Sequence, residues 1–291
     1  MTAGDDGIDA PDLERRFGGL RRLHGAAAYA RLRRACIAVV GVGGVGSWAA
    51  EALARSGVAT LVLIDLDQVS ESNVNRQVQA LSDTLGQAKV TALQQRIAQI
   101  HPGCEVLAVE AFVEPDNWPA PLLPRPVGAL IDACDQASAK LTLAAWALQT
   151  GTPLVCVGAA GGKHAPQRVE LDDLAHVTHD PLLARLRQRL RQQYGAPRRG
   201  PIGVRCVFSR EPVQAPRGGV APPATPDAAA CGIDEEADDA DMGAGAADAD
   251  GSLNCHGYGS SVAVTATFGM TAAAAAIEAC TRAVGPASAP L

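Results

Sequence analysis

The sequence predicts an α/β fold: a mostly parallel sheet with flanking helices, extended by a C-terminal mixed α/β part. Three observations carry this. Short apolar runs alternate with helical periodicity through roughly the first 160 residues, the pattern of strands joined by helical crossovers. A glycine-rich loop, Gly41-Val42-Gly43-Gly44-Val45-Gly46, stands between the first run and the first helix. A carboxylate, Asp65, ends the next run about 20 residues further on.

Taken in order, residues 1–12 are acidic, lack an apolar stretch and read as a disordered tail; they do not form a signal peptide, so the cytoplasm is the expected compartment. CIAVVG (36–41) and TLVLID (60–65) read as buried strands bracketing a helix over about 44–56. A helix near 85–100, strands near 105–110 and at ALIDA (129–133), a helix over 136–150 and the strand PLVCVG (153–158) follow. These make a nucleotide-binding core, 13–160, within a single domain over 13–291. Residues 161–210 and 253–285 are expected to form a substrate-side extension. In it, QRVELDD (167–173) and IGVRCVF (202–208) read as strands flanking an Arg-rich helix over 180–193. Residues 211–252, rich in Pro, Gly, Ala and Asp, read as a flexible acidic loop. The Ala- and Thr-rich stretch 258–283 is a helix. It is uncharged from Gly257 to Ile277 but meets Glu278, so a packed core helix is preferred to peripheral or integral membrane association through 257–283.

Composition narrows the function classes. The net charge of −6 argues against a nucleic-acid partner, but eight of the acids fall in 234–250, and the rest of the chain would be positive without them. Arginines gather at 185, 187, 189, 191, 198, 199, 205 and 210, as a solvated helix face or a contact to an RNA backbone. Aromatic residues are only 3% of the chain, which makes base stacking a minor term in any RNA binding. The eight cysteines include no C-x-x-C pair, and four sit in or beside apolar runs as small hydrophobes, so neither a disulfide framework nor a structural zinc is expected.

The glycine loop supplies a tight turn, close backbone approach and the free N–H groups of a helix start, which together suit a phosphate. Asp65 is placed to accept hydrogen bonds from ribose hydroxyls. Alone, this pattern also fits an NAD-dependent oxidoreductase. Asn73-Val74-Asn75-Arg76-Gln77 follows just past Asp65 and Asp67, and Lys89 opens the next helix. A guanidinium and an ammonium beside the loop suit a triphosphate, where negative charge builds during reaction. Asp132 ends a strand at the edge where open α/β sheets bind ligands, and reads as a Mg²⁺ ligand; Asp135 reads as the cap of the helix that follows.

On the Gly41–Gly46 loop, Asp65, Asn73, Arg76, Gln77, Lys89 and Asp132, residues 16–160, and more loosely the whole chain, resemble the superfamily of ubiquitin-activating enzymes and the bacterial activators of molybdopterin and thiamine sulfur carriers. The resemblance implies ATP and Mg²⁺ as cofactors and adenylation of a carboxylate with release of pyrophosphate. The cofactor-binding set expected here is Gly41, Gly43, Gly44, Gly46, Asp65, Asp67, Asn73, Asn75, Arg76, Gln77 and Lys89, with Arg76, Lys89 and Asp132 catalytic and Asp132 holding the metal. Arg16-Phe17-Gly18-Gly19-Leu20, Gly158-Ala159-Ala160-Gly161-Gly162, Asp180-Pro181-Leu182 and Val264-Thr265-Ala266-Thr267-Phe268-Gly269 resemble one branch, the tRNA threonylcarbamoyladenosine dehydratases. That branch implies ATP-dependent cyclisation of the threonylcarbamoyl group on adenosine 37, a tRNA and not a DNA partner, and a homodimer. Its sulfur-accepting cysteine, served by a cysteine desulfurase partner, aligns roughly with Cys255, beside His256.

Two departures stand out. The zinc-holding C-x-x-C pairs of the sulfur-carrier activators are missing, and Gly19 stands where they carry a second N-terminal arginine; Arg21 and Arg22 are the nearby substitutes. The competing readings are an enzyme that adenylates the C-terminus of a ubiquitin-like sulfur carrier, a non-catalytic nucleotide sensor and, more remotely, the oxidoreductase.

Overall fold

A computed structural model describes residues 11–214 and 258–282. Its centre is a seven-stranded sheet in the order β3-β2-β1-β4-β5-β7-β6. The strands are β1 (Cys36–Val40), β2 (Thr60–Ile64), β3 (Glu105–Val109), β4 (Ala129–Asp132), β5 (Leu154–Val157), β6 (Val169–Asp173) and β7 (Arg205–Ser209). β6 pairs antiparallel at one edge, and every other pairing is parallel. The interior strands are continuous apolar runs because a parallel sheet is covered on both faces. The predicted α/β class with a mostly parallel sheet is therefore observed, and the C-terminal part extends the same sheet.

Alternation along each strand sends side chains to two cores. Ile37, Val39, Leu61, Leu63 and Ile131 pack against α3 (Gly46–Arg55), α4 (Lys89–Ile100) and α7 (Val262–Thr281). Ala38, Val40, Val62, Ile64 and Leu130 face α5 (Ala137–Thr150) and α6 (Pro181–Gln193). The order β3-β2-β1-β4-β5 reverses direction between β1 and β4, so a crevice opens at their C-terminal ends, the switch point where such sheets bind ligands.

Several expectations need correction. Residue 12 is not part of a loose tail: Asp12 caps α1 (Leu13–His24), its carboxylate accepting the Arg15 N–H at 3.0 Å. Residues 1–10 of the expected tail lie outside the described residues. The predicted elements omitted α1 and α2 (Ala26–Leu32). The helix expected from 85 starts at Lys89, because Gly86 turns with φ +81° before it; the helix expected from 258 starts at Val262, after Gly259 at φ +70°.

The helix α7, which falls within the expected substrate-side extension, is packed into the core. Its buried face joins the core of α3 and β1, and Gly269 meets α3 so closely that a Cβ there would lie 2.5 Å from the Val45 carbonyl oxygen. Long and apolar enough to cross a membrane, α7 instead buries half of that apolar stretch inside the protein. Of the acidic loop, only 211–214 is described, and there Glu211 is buried with its carboxylate on the N–H groups of His164 and Ala165.

Candidate active site

The crevice holds a cavity of about 200 Å³. Its floor is the glycine loop between β1 and α3. Gly41 has φ +80°, and a Cβ there would lie 2.8 Å from the Cys134 nitrogen; at Gly46 a Cβ would lie 1.8 Å from the Gly41 carbonyl oxygen. Those two glycines let the loop close on itself and on the end of β4. Gly43 and Gly44 do something else, since they face the Gln77 and Arg76 side chains.

Asp65 leaves the end of β2 and ties the loop down. One of its oxygens accepts the Val42 N–H at 2.7 Å, and the other accepts the Asp67 N–H at 2.9 Å. Burial pushes its carboxyl above the usual carboxylate range, against the pull of the Lys89 ammonium and those two N–H groups. Lys89, the first residue of α4, is buried and donates to Asp67 Oδ2 at 2.6 Å. A one-turn 3₁₀ helix, Glu71–Asn73, carries Asn73, whose side chain accepts the Ser70 N–H. Arg76 is held by donation from Nη1 to the Ser72 carbonyl at 2.7 Å and to Asn75 Oδ1 at 2.9 Å, while its own carbonyl accepts the Trp48 indole N–H.

Thus Gly41, Gly43, Gly44, Asp65, Asp67, Asn73, Arg76, Gln77 and Lys89 line one cavity. Gly46 and Asn75 do not line it: Gly46 closes the loop, and the exposed Asn75 braces Arg76 while donating to the Ser260 carbonyl. A guanidinium, an ammonium and a glycine loop lining one space have the chemistry that suits a polyanion.

The ThiF family model matches residues 15–289. The chain belongs to the ThiF family. It is 40% identical over 266 residues to the tRNA threonylcarbamoyladenosine dehydratase of Escherichia coli, an alignment covering 90% of this chain and 92% of that protein. The dehydratase of Haemophilus influenzae is 35% identical, covering 92% of this chain and 94% of its own length. Among solved structures, E. coli tRNA N6-threonylcarbamoyladenosine dehydratase, TcdA, in complex with ATP superposes with a TM-score of 0.76 at 37% identity, covering 94% of this chain and 96% of that one.

In this ThiF-family chain Asp132 does not line the cavity. Its side chain is fully buried, with Oδ2 3.1 Å from Lys140 Nζ and 3.2 Å from the Cys156 thiol, and Oδ1 taking the N–H and thiol of Cys134. The expected metal role of Asp132 is therefore corrected: both of its oxygens are committed inward. The carboxylate on the cavity is Asp135, expected as a helix cap; α5 instead begins after Gln136 without a side-chain cap.

Other lining residues come from elements distant in sequence, several of them within segments that carry the family resemblance. Ala111, Phe112 and Val113 come from the loop after β3, Gly158–Ala160 from the end of β5, Leu182 from α6 and Thr265 from α7. Gln79 was not foreseen; buried, it donates to the Val42 carbonyl at 2.9 Å and braces the loop. Arg16, Arg21 and Arg22 of α1 do not line the cavity, and Arg16 donates to the Ile100 carbonyl. Cys255 and His256 lie outside the described residues.

Proposed function

We propose that this ThiF-family chain is an ATP-dependent tRNA-modifying enzyme, a dehydratase that cyclises threonylcarbamoyladenosine at position 37. The observation that carries the reading is the cavity itself, where Arg76 and Lys89 face the glycine loop in a chain similar over nearly its whole length to a dehydratase solved with ATP.

The chemistry runs in two displacements. The threonyl carboxylate attacks the α-phosphorus of ATP, forming an acyl-adenylate as pyrophosphate leaves. A nitrogen of the same side chain then attacks the acyl carbon, loses its proton and closes the ring as AMP departs. The oxygen lost from the carboxylate leaves with AMP, so the nucleoside sheds one water overall. Ring closure is intramolecular, and enforced proximity supplies much of its acceleration. The chain's task is to hold and neutralise phosphates: backbone N–H groups of the Gly41–Gly46 loop receive them, Arg76 and Lys89 offset the growing charge, and Asp65 orients the ribose.

Asp135 fits a Mg²⁺ ligand, being an exposed carboxylate on the cavity with no hydrogen bond or ion pair among the described residues. One protein carboxylate suffices for an ion that takes its remaining ligands from phosphates and water. Such an ion, when bound, neutralises the phosphate oxygens of the leaving group. The cytoplasm and a homodimeric state belong to the same proposal. Adenylation of a sulfur carrier's C-terminus would use the same phosphate residues, so substrate and not nucleotide separates the two.

The test is incubation of the purified chain with threonylcarbamoylated tRNA, ATP and Mg²⁺, followed by gentle digestion and mass spectrometry of the nucleosides. A modified adenosine lighter by one water, formed only with ATP and matched by AMP, is the expected product. An unchanged mass would overturn the dehydratase reading.

A further inference from the structure

The helix α6 carries two arginine stripes with different fates. Leu182, Leu183, Leu186 and Leu190 face inward and fix its orientation on the sheet. On its flank, Arg187 donates to the carbonyls of Leu174 at 3.0 Å and Val177 at 2.8 Å, and Arg191 to those of Pro197 at 3.2 Å and Arg198 at 3.4 Å. These two hold the protein together. Arg185, exposed, and Arg189, half-buried, stand one turn apart on the other flank, and their side chains have no hydrogen bond and no carboxylate within ion-pair distance among the described residues; the same is true of the side chains of Arg198 and Arg199. The loop bearing the last two is the one Arg191 braces.

No acid occurs between Asp180 and Glu211 in the sequence. Carboxylates of the neighbouring strand are engaged elsewhere: Glu170 pairs with Arg210, and Asp173 accepts the N–H groups of Ala175, Ile202 and Gly203. Four unneutralised guanidinium groups on a rigid support have a polyanion as their natural complement. The support also starts at the cavity. Leu182 in the first turn of α6 lines it, and the Asp180 cap of that helix accepts the Ala159 N–H from the opposite wall at 2.9 Å. Arg185 and Arg189 are spaced about 6 Å along the axis by the helical rise. A chain entering the cavity therefore meets a track of positive charge leading away from it.

We infer that the Arg185–Arg189 flank of α6 and the 198–199 loop form the surface that receives the substrate's RNA backbone, with Arg185, Arg189, Arg198 and Arg199 contacting phosphates. This rests on the proposed tRNA substrate. The contacts position the RNA without reading its sequence, as phosphate contacts do.

The test measures tRNA binding against KCl concentration for the full chain, for Arg185→Gln/Arg189→Gln and for Arg198→Gln/Arg199→Gln. ATP affinity and tRNA KM are read on the same samples, with Arg34→Gln, at another exposed arginine, as control. Each phosphate contact contributes about −0.7 to −0.9 to the slope of log K against log salt, so each double variant should lose about 1.5 of that slope and bind tRNA about tenfold more weakly near 0.1 M salt. ATP affinity should stay at the parent value, and Arg34→Gln should leave slope and KM unmoved. Parent-like slope and KM in both double variants, while the parent dehydrates its tRNA, would overturn this surface and leave the dehydratase reading standing. Failure of the parent chain to bind or dehydrate tRNA at any salt would overturn both.

Discussion

Lys140 Nζ lies 3.1 Å from Asp132 Oδ2, and both side chains are 0% exposed. Nζ also donates to the Val157 carbonyl at 2.7 Å, so one ammonium joins the ends of β4 and β5 to α5, directly beneath the two walls of the cavity. Burial alone would lower the Lys140 pKa, but the Asp132 carboxylate and the Cys156 and Cys134 thiols beside it hold it above the ordinary lysine value. Lys140→Met should therefore destabilise the fold by about 3–5 kcal/mol, because it strands a buried carboxylate. Urea unfolding of Lys140→Met and of Lys140→Met/Asp132→Asn checks this, and the double variant should recover most of the loss.

Lys89 and Asp135 should behave in the opposite way. Lys89 is ion-paired to the half-exposed Asp67 and offsets the buried Asp65, and Asp135 has no partner among the described residues, so Asp135→Asn should leave the unfolding midpoint unmoved and Lys89→Ala should move it far less than Lys140→Met. Each should slow AMP formation on the order of 10²-fold or more if it acts on phosphate charge. Excess Mg²⁺ should partly restore Asp135→Asn and do nothing for Lys89→Ala. A parent-like rate for Lys89→Ala would remove the adenylation chemistry from this cavity.

The glycines of the loop are not equivalent. Gly46→Ala places a Cβ 1.8 Å from the Gly41 carbonyl oxygen, whereas the nearest atom at Gly43 is Gln77 Nε2 at 3.9 Å. Gly46→Ala should cost about 3 kcal/mol or more, as strain at a closed turn does, while Gly43→Ala folds normally. Calorimetric melting of the two variants side by side decides it.

His101 is fully buried against Phe17, with Arg33 Nη1 3.1 Å from its Nε2. Burial, with the Arg33 and Arg16 guanidinium groups, pushes its pKa down to about 4 from 6.5. The folded state thus binds fewer protons than the unfolded chain between those values. Its contribution is complete above about pH 6.5 and is lost as pH falls towards 4, amounting to about 2 kcal/mol by pH 5. Urea midpoints at pH 7.5 and 5 should show that loss in the parent and not in His101→Gln.

How much of this was legible depended on whether the signal was local. The glycine loop, Asp65 and Lys89 announce themselves because a turn, a strand end and a helix start each demand a residue type at fixed spacing. Asp132 and Asp135 are three residues apart and chemically alike; which one faces the cavity is decided by Lys140, arriving from α5 beneath the strand. Leu182 and Thr265 lie in segments that the family resemblance picks out, but nothing in those segments alone says that they reach the cavity, and nothing near Phe112 in sequence marks it at all. The helix α1 was missed because only Phe17 of its residues is buried and Gly18-Gly19 weakens its helical pattern.

The tight seat of Gly269 on α3 also sets an order of events during synthesis. The glycine loop leaves the ribosome early, but the apolar back of its helix stays uncovered until residues 262–281 emerge. At about 5–20 residues per second that interval lasts many seconds. The nascent chain must carry an open nucleotide half for most of its translation, and a product cut short before α7 would be a client for chaperones instead of a smaller enzyme.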